Sequence, residues 1–505
     1  MVAYGHPRIT PYLIFDTLLD TLRAASSIHT KSSIMTLTPN FGSRSREVER
    51  LLAVGNLIQN CIQTVVKEWT TSPDVSDSSL QSWDLFEAQR SLISATGVLV
   101  ELISNPSMRL MEFCGQYWES RALGIVVAKR IPDILASRSD GVHLREISRR
   151  TGLEQGKLGR IMRCLCSSHI FRETKHDIFS NNRISIALVQ NEPLRAYIMM
   201  FHADLFSCAV HLPRTLFDPK WGRSYSVNET AFQNALDTPK SRWEWLEEQP
   251  SEIERTRRSS VGYPGILGEK TTLDSGGDPP AHRPEFELFS MAMVGGGKIS
   301  GAAHAFDYPW NDLGNAMIVD VGGGVGGFMI ELSRRYPLLN FVVQDRAPNV
   351  KLAKESIWPK EQPAAVAEGR VRFMVHDFFQ TNPIHGADVY WLRYIIHDWS
   401  DAYCVKILSA IREAMTPDSR LLVCDQVMDT TVENPQIQTS PLPPNYGVYK
   451  RYSHLRDINL MAIMNGVERT PEHFETLFRE AGLVLEKIWP CRSQVSILEC
   501  RLQRL

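Results

Sequence analysis

Residues 317–345, MIVDVGGGVGGFMIELSRRYPLLNFVVQD, decide how the C-terminal half of the chain is interpreted. The apolar start is typical of a buried strand, and five of the six residues 322–327 are glycines. A helical segment follows, and a second apolar run ends at Asp345. Glycine is needed where the backbone takes a positive φ or lies against a ligand, and an acid after the second strand can accept both hydroxyls of a ribose. This order predicts a site for a nucleoside-containing cofactor.

The identity of that cofactor depends on the residues around the glycines. Gly322, Gly324 and Gly327 satisfy the spacing of a dinucleotide site, which keeps an NAD(P)-dependent oxidoreductase open as an alternative. A carboxylate at the end of the first strand, Asp320, favours S-adenosylmethionine, because it can meet an amino group but would repel a pyrophosphate. We therefore predict that the cofactor contacts a set of five residues: Asp320, Gly322, Gly323, Gly324 and Asp345.

The composition is that of an ordinary globular protein with two or three domains. The 505 residues are 43% apolar and 22% charged, and the net charge of −2 gives no global basic field for nucleic acid. We expect no membrane association, because no apolar run approaches the roughly 20 residues of a bilayer span. The first residues lack the features of a signal peptide, and the nine cysteines are dispersed. Such cysteines predict reduced thiols in a cytoplasmic protein.

The remaining sequence predicts four regions. They are an N-terminal helical region (1–115), a winged-helix dimerisation domain (116–190), a helical linker and acceptor-pocket region (191–310) with a mobile insertion (245–284), and an α/β catalytic domain (311–505). The winged-helix pattern could bind DNA or serve packing and dimerisation. Its second helix carries only Lys157, Arg160 and Arg163, too little charge for strong phosphate contact, which favours dimerisation. A non-catalytic winged-helix regulator remains a second alternative.

Three later segments complete the predicted site. VRFMVHDFF (371–379) predicts a strand followed by Asp377 and Phe378, which suit the amino group and ring face of an adenine. ADVYWLRYIIHDW (387–399) predicts a strand and a turn, and NGVERT (465–470) follows a helix predicted to begin at Asp457. Strands alternate with helices from residue 316 onward, which predicts a parallel sheet.

In this order, DVGGGVG, VVQD, VHDFF, HDWSD and NGVERT resemble the class I S-adenosylmethionine-dependent O-methyltransferases of the plant caffeate and flavonoid type, in their fungal secondary-metabolism branch. The resemblance covers the chain from about residue 120 to the end. It implies a Rossmann-like domain with a mostly parallel seven-stranded sheet, and a homodimer. It implies that His397 is the general base and that Asp425 and Glu468 orient it. Arg346 and Arg393 would join the cofactor-binding residues. Plant members usually carry Glu where this chain has Asp425.

The chemistry of such a base can be stated from the residues. A phenol ionises near pH 10, so a neutral imidazole must take its proton as the oxygen attacks, and a carboxylate on the other ring nitrogen fixes the tautomer. The alternative for His397 is a helix cap, but two carboxylates predicted at the same sheet edge favour catalysis. We find no Asp, Asn and His spacing for magnesium or zinc and expect a metal-independent O-methyltransferase acting on a small aromatic hydroxyl. Four residues are predicted to line the acceptor pocket, although an ordinary core is also open for them: Met293, Trp399, Met461 and Met464.

Overall fold

The computed structural model describes residues 41–71, 80–250, 282–429 and 441–503. The chain divides into two units, Met1–Leu52 and Ala53–Leu505, and the candidate site lies within the second. The predictions for residues 1–40, for residues 251–281 of the insertion and for residues 430–440 lie outside the described residues. In the described part of the chain, none of the helices is long and apolar enough to cross a membrane.

The N-terminal region is helical where it is described, as predicted. Its described helices are α1 (Phe41–Thr71), α2 (Trp83–Ile103) and α3 (Pro106–Gly115), and α4 (Tyr117–Ala128) and α5 (Ile131–Leu135) begin the region predicted as the dimerisation domain. Ser82 and Asn105 cap α2 and α3 by accepting hydrogen bonds from backbone N–H groups of the first turn, and Pro106 stands at the start of α3 where no N–H is needed. The boundaries of these helices therefore follow from local sequence.

A winged-helix module follows. It consists of β1 (Val142–His143), α6 (Leu144–Thr151), α7 (Gln155–Ser167), β2 (Phe171–Lys175) and β3 (Ile178–Asn181), with the strands in the order β1-β3-β2. Gly152 ends α6 at a φ of +73°, which an L side chain rarely adopts. The Arg163 guanidinium pairs with Glu173 at 2.7 Å and with Asp177 at 2.6 Å. This charge of α7 is neutralised within the module, which favours packing over binding of phosphates.

In the described part of the chain, five α-helices lie between this module and the sheet: α8 (Glu192–His202), α9 (Asp204–Phe217), α10 (Ala231–Leu236), α11 (Arg242–Glu247) and α12 (Pro284–Phe306). Three successive glycines lie in the middle of α12. A Cβ on Gly295 would lie 2.5 Å from the carbonyl oxygen of Pro193, and one on Gly296 would lie 3.3 Å from the Tyr197 ring. The glycines therefore let α8 and α12 pack backbone to backbone.

The C-terminal domain is built on a seven-stranded sheet in the order β6-β5-β4-β7-β8-β10-β9. The strands are β4 (Met317–Val321), β5 (Asn340–Asp345), β6 (Val371–Val375), β7 (Val389–Arg393), β8 (Arg420–Asp425), β9 (Leu483–Pro490) and β10 (Ser496–Leu502). Strands β4 to β8 pair in parallel, whereas β10 is antiparallel to both of its neighbours. The predicted mostly parallel seven-stranded sheet and N-terminal helical domain are confirmed.

Helices cover both faces of the sheet: α13 (Gly327–Arg335), α14 (Ala347–Leu352), α15 (Trp358–Glu361), α16 (Pro363–Ala367), α17 (Asp401–Arg412) and α19 (Pro471–Glu480), whereas α18 (Arg451–Met464) packs against α9 and α10. Alternate strand residues enter separate cores. Ile318 and Trp391 pack with residues of α13, whereas Val319 and Leu392 pack with residues of α17 and α19. Because β4 to β8 are parallel, the segments that follow them meet at one edge of the sheet, where the candidate site lies.

Candidate active site

The glycine loop connects β4 to α13. Gly322 and Gly324 have φ values of +71° and +61°, which glycine adopts without strain. The N–H groups of Gly322 and Gly323 donate to the Gln344 carbonyl at 2.9 and 3.0 Å, which ties the loop to β5. A Cβ on Gly323 would lie 2.1 Å from a carboxylate oxygen of Asp320. The loop therefore rests directly on this carboxylate and leaves bare backbone at the sheet edge.

Asp320 lies beneath the loop and is only 3% exposed. Burial raises the pKa of this carboxyl to about 7, although the nearby charge of Arg393 acts in the opposite direction. A buried acid of this kind is costly to ionise unless a cation joins it. Its surroundings suit a ligand that brings a positively charged amino group to the end of β4.

The ribose acid predicted from the sequence is held by three donors. Oδ2 of Asp345 accepts from the Gly324 N–H at 2.7 Å. Oδ1 accepts from the Arg346 N–H and from the Asn349 side chain, each also at 2.7 Å. The carboxylate is thus fixed against the glycine loop. The Arg346 side chain forms an ion pair with Glu247 at 2.7 Å and is more than half exposed.

The other cofactor candidates lie around the same loop. One edge of the Phe378 ring lies 3.6 Å from the position that a Cβ on Gly322 would take, and the ring packs edge-on against Trp399 with centroids 6.0 Å apart. Asp377 is exposed and accepts from the Phe379 N–H at 3.0 Å, and it follows β6, which ends at Val375. The Arg393 guanidinium lies over the Phe328 ring at 4.9 Å.

These residues fit S-adenosylmethionine better than a dinucleotide. The loop brings together three carboxylates, those of Asp320, Asp345 and Asp377, and its backbone is uncovered at Gly324 and Gly327, where an added Cβ would meet nothing within 4 Å. Carboxylates can hold an amine, a ribose and an adenine amino group, whereas a pyrophosphate beside Asp320 would be repelled. The donor set therefore matches the cofactor predicted from the sequence.

His397 lies in a short 3-10 helix, Ile396–Asp398, that follows β7. Its Nδ1 is 3.0 Å from Oε1 of Glu468 and 3.8 Å from Oδ1 of Asp425, and its Nε2 is 3.3 Å from Oδ1 of Asp398. His397, Asp425 and Glu468 are all buried. The structure therefore brings together the three residues that the sequence placed in one catalytic group, with Glu468 as the carboxylate that is hydrogen-bonded to Nδ1.

The segment 465–470 is joined to the His397 turn through its backbone. The Val467 N–H donates to the His397 carbonyl at 2.8 Å, and a Cβ on Gly466 would lie 2.4 Å from that same oxygen. Arg469 is fully buried and donates to the carbonyls of Ile396 and Trp399 at 3.0 and 2.8 Å. These contacts set the distance between Glu468 and the imidazole.

The charges around His397 act in opposite directions. Burial and the charge of Arg456 lower the pKa of His397, but Glu468, Asp398 and Asp425 together outweigh them and raise it above its usual value. Burial raises the pKa of Asp425 to about 7, and neither of its oxygens accepts a hydrogen bond from any residue that the structure describes. Burial opposes ionisation of Glu468, but His397 and Arg456 hold the pKa of that carboxyl below its usual value.

Arg456 is a site residue that the sequence interpretation missed, as is Asp398. Arg456 lies on α18, which begins at Arg451 and not at Asp457 as predicted. Its Nη2 is 2.7 Å from Nδ1 of His397, and its Nε is 3.2 Å from Oε1 of Glu468. The only signal in the sequence is an arginine one residue before the predicted start of this helix.

The predicted acceptor residues occupy different environments. Met464 is buried in an apolar cluster with residues of α8 to α12, Met461 is half-buried, and Met293 on α12 is 41% exposed. Trp399 packs against Phe379 with ring centroids 4.9 Å apart. Their contact with an acceptor stays a prediction. Among the described residues, no group of three or more His, Cys, Asp or Glu side chains is arranged to hold a metal ion.

Comparison with known proteins identifies the family. A model of the O-methyltransferase domain matches residues 299–484, and a model of the O-methyltransferase dimerisation domain matches residues 111–191. The O-methyltransferase gedA of Aspergillus terreus is 51% identical over 89% of this chain and 96% of its own length. The chain belongs to this O-methyltransferase family. The O-methyltransferase tpcA of Aspergillus fumigatus is 49% identical over 91% of this chain and 97% of its own length.

Solved structures share the fold. The mitomycin 7-O-methyltransferase MmcR superimposes with a TM-score of 0.57 at 25% identity, over 79% of this chain and 98% of its own. LepI in complex with SAM gives a TM-score of 0.63 at 20% identity, over 90% of this chain and 100% of its own. The protein is an S-adenosylmethionine-dependent O-methyltransferase by family. This membership sets aside both alternatives, the NAD(P)-dependent oxidoreductase and the non-catalytic regulator.

Proposed function

We propose that the protein transfers a methyl group from S-adenosylmethionine to a hydroxyl of a small aromatic acceptor, with His397 as the general base and without a metal ion. One observation carries this proposal. A buried imidazole lies at the carboxyl edge of the sheet with Nδ1 3.0 Å from a buried carboxylate, next to the glycine loop. The loop and the His397 turn adjoin through Ile395, whose side chain lies 2.7 Å from the position of a Cβ on Gly322.

The residues of the chain divide the chemical work. With Nδ1–H donated to Glu468, Nε2 is the basic nitrogen and can accept the proton of the acceptor hydroxyl. Glu468 holds the tautomer and stabilises the imidazolium that forms. Bound S-adenosylmethionine supplies a methyl group already activated by its sulfonium. The protein therefore has to align the acceptor oxygen with that methyl group and remove one proton, which calls for no Lewis acid.

The cofactor would be held by the residues of the glycine loop and the strand ends. Asp320 would meet its amino group, Asp345 its ribose hydroxyls, and Asp377 and Phe378 its adenine. Arg393 lies close enough to Asp320 for its charge to act on that carboxyl, so it would balance the acids at the same end of the site. The Arg346 side chain forms an ion pair with Glu247 and would contact the cofactor only if that ion pair were broken.

An aromatic acceptor is supported by the helices beside the base. The cluster that contains Met464 also holds aromatic side chains from α8 to α12: Tyr197, Phe201, Phe232, Trp243, Trp245, Phe286 and Phe289. Planar apolar ligands pack well against aromatic rings and methionine. Helix α18, which carries Arg456 and Met464, joins this cluster to the His397 site.

The test is methyl transfer by the purified full-length protein. S-adenosylmethionine carrying a labelled methyl group is incubated with phenolic polyketides, flavonoids and hydroxyindoles, and each product is analysed by mass spectrometry. At least one phenol should gain one methyl group, its pre-formed methyl ether should gain none, and EDTA should leave the rate unchanged. Methylation that needs an added metal, or that occurs only on amines, would contradict the proposal.

We also propose that the protein is a homodimer through the region that matches the dimerisation domain. Apolar side chains of this region on α3 and α4 are largely exposed in the single chain: Met111, Phe113, Tyr117 and Trp118. Exposed apolar clusters of this kind mark interaction surfaces, and their place in this region points to a second copy of the chain as the partner.

A further inference from the structure

We propose that Arg456 is a positioning residue that holds Glu468 and keeps a neutral form of His397 available to act as the base. The proposal rests on the proposed function in so far as His397 is the base. Arg456 would oppose protonation of the imidazole, which the neighbouring acids cannot do, since all of them favour the protonated ring.

The contacts of Arg456 connect it to both partners of the catalytic pair. Its Nη2 is 2.7 Å from Nδ1 and 3.3 Å from Nε2 of His397. Its Nε is 3.2 Å from Oε1 of Glu468, the same oxygen that lies 3.0 Å from Nδ1. The guanidinium therefore shares one carboxylate oxygen with the imidazole, and it restricts where that oxygen can move.

The Arg456 guanidinium favours a neutral His397 imidazole over a protonated one. A guanidinium has donors and no acceptor, so it can bond only to a ring nitrogen that carries no proton. A neutral imidazole has one such nitrogen, whereas an imidazolium has none. Nη2 lies within reach of both ring nitrogens and is closer to Nδ1, so it can donate to whichever nitrogen carries no proton, whereas the doubly protonated ring offers it no acceptor. Protonation of both nitrogens would place two cationic groups about 3 Å apart, which is unfavourable.

Four charged side chains of the described residues face His397. Glu468 comes from the segment after α18, Asp425 from the end of β8 and Asp398 from the same turn as His397, whereas Arg456 of α18 is the cation. The Tyr394 ring, after β7, lies 5.7 Å from the imidazole centroid and 4.7 Å below the guanidinium. Burial disfavours the imidazolium and the three acids favour it, so removal of Arg456 would shift the ring toward the protonated form, which cannot take a proton from the acceptor.

The position suits arginine in particular. The side chain is largely buried, and an arginine keeps its charge there because it is not deprotonated in proteins. The Tyr394 ring below and the Glu468 carboxylate beside it offset the cost of burying that charge. Arg456 is thus a permanent charge at a fixed distance from the base.

The test measures the protonation of His397 directly by NMR titration of its imidazole in the full-length protein, assigned by the loss of its signal in His397→Gln. Arg456→Gln should raise the pKa of His397, because the cation that offsets the negative charge of Glu468 is removed. Arg456→Lys, which keeps the charge, should stay near wild type. Arg451→Gln is the matched control, since it removes an exposed charge from the same helix, and should not change the titration.

Kinetics give a second readout on any acceptor found in the methyl-transfer assay. For Arg456→Gln, kcat/KM should fall by about tenfold more near pH 6 than near pH 9, because the neutral ring is depleted at low pH. A merely structural role would lower kcat/KM equally at all pH values, and that result, or an unchanged titration, would overturn the proposal. If Arg456→Gln does not fold, a pH-independent loss in Arg456→Lys overturns it. Failure of the His397 base itself is seen separately, as activity retained by His397→Gln.

Discussion

The Nδ1 atom of His397 lies within hydrogen-bond distance of Oε1 of Glu468, at 3.0 Å, and both side chains are buried. Asp425 is fully buried nearby, but its closer oxygen is 3.8 Å from Nδ1, beyond a hydrogen bond. The two carboxylates therefore differ in how they act on the base: Glu468 orients the ring by contact, whereas Asp425 acts through its charge.

This difference predicts the order in which substitutions of His397, Glu468 and Asp425 lower kcat. His397→Gln should lower kcat by about 10²- to 10⁴-fold, as expected for loss of a general base. Glu468→Gln should cost less, and Asp425→Asn least. The double variant of the two acids should lose less than the product of the single losses, because both act through one imidazole. Steady-state kinetics measure this, and S-adenosylhomocysteine affinity should stay near wild type throughout. A larger loss in Asp425→Asn than in Glu468→Gln would contradict it.

The dependence of activity on pH follows from the raised pKa of His397. Only the neutral ring accepts a proton, so kcat/KM should rise as pH rises through that pKa, at a higher pH than for an ordinary histidine. Glu468→Gln removes an anion that favours the protonated ring and should therefore lower the pKa of His397. In this variant kcat/KM should rise at lower pH than in the wild type, even though its maximal value is smaller. This shift is opposite to that expected for Arg456→Gln. If the pH profiles of kcat/KM of both variants shift in the same direction, the charges of Glu468 and Arg456 do not act on the pKa of His397 as proposed.

We expect Asp320 to lower the stability of the ligand-free protein while it contributes to cofactor binding. Burial raises its pKa in the folded protein to about 7, above roughly 3.9 in the unfolded chain. Between these values the folded state binds more protons, so stability falls as pH rises from about 4 to 7. Asp320→Asn should remove this loss and stabilise the ligand-free protein by roughly 1–4 kcal/mol near pH 8. Thermal unfolding near pH 5 and pH 8 tests this.

The same substitution should weaken binding of S-adenosylhomocysteine in calorimetry, because the carboxylate that would meet the amino group is gone. Asp345→Asn provides the comparison, since Asp345 is half-buried and its replacement should weaken binding without the gain in stability. Unchanged affinity in Asp320→Asn would remove Asp320 from the cofactor site.

Gly466 should be required for the geometry of the base. A Cβ at this position would lie 2.4 Å from the His397 carbonyl oxygen, which belongs to the backbone and cannot turn aside. Gly466→Ala should therefore push the segment 465–470 from the His397 turn, lengthen the contact between Glu468 and His397, and lower kcat while cofactor affinity stays near wild type. Gly55→Ala on α1 is the control, because an added Cβ there meets nothing within 4 Å and the residue is not part of the glycine loop. Equal activities of the two variants would contradict the proposed contact.

The dimer should depend on the apolar surface of α3 and α4. Met111 and Trp118 are 69% and 63% exposed in the single chain, and a charge at either position would have to be buried on association. Met111→Asp and Trp118→Asp should shift the protein toward monomer in sedimentation velocity at micromolar concentration. Leu338→Asp, at an equally exposed leucine of the catalytic domain, should leave the dimer intact. A wild-type protein that sediments as a monomer would refute the homodimer.

The sequence by itself determined the architecture and a first set of site residues that did not include Arg456. The apolar runs at Met317–Val321 and Asn340–Asp345, with the glycines between them, are local patterns that specify strands and a loop. Parallel strands carry their carboxyl ends to one edge, so the residues after each strand could be grouped before any distance was known. His397 and Asp425 follow strands and were grouped in this way, whereas Glu468 follows a helix and was added through the family resemblance of the NGVERT motif.

Only the tertiary structure decided how those residues act on one another. The choice of Glu468 over Asp425 depends on a difference of 0.8 Å between two contacts, 3.0 and 3.8 Å, which is set by the packing of the segment 465–470 on the His397 turn. Arg456 enters the site because α18 begins at Arg451 and passes over the imidazole. Contacts between distant segments depend on how helices and loops pack on the sheet, and no local sequence pattern specifies that packing.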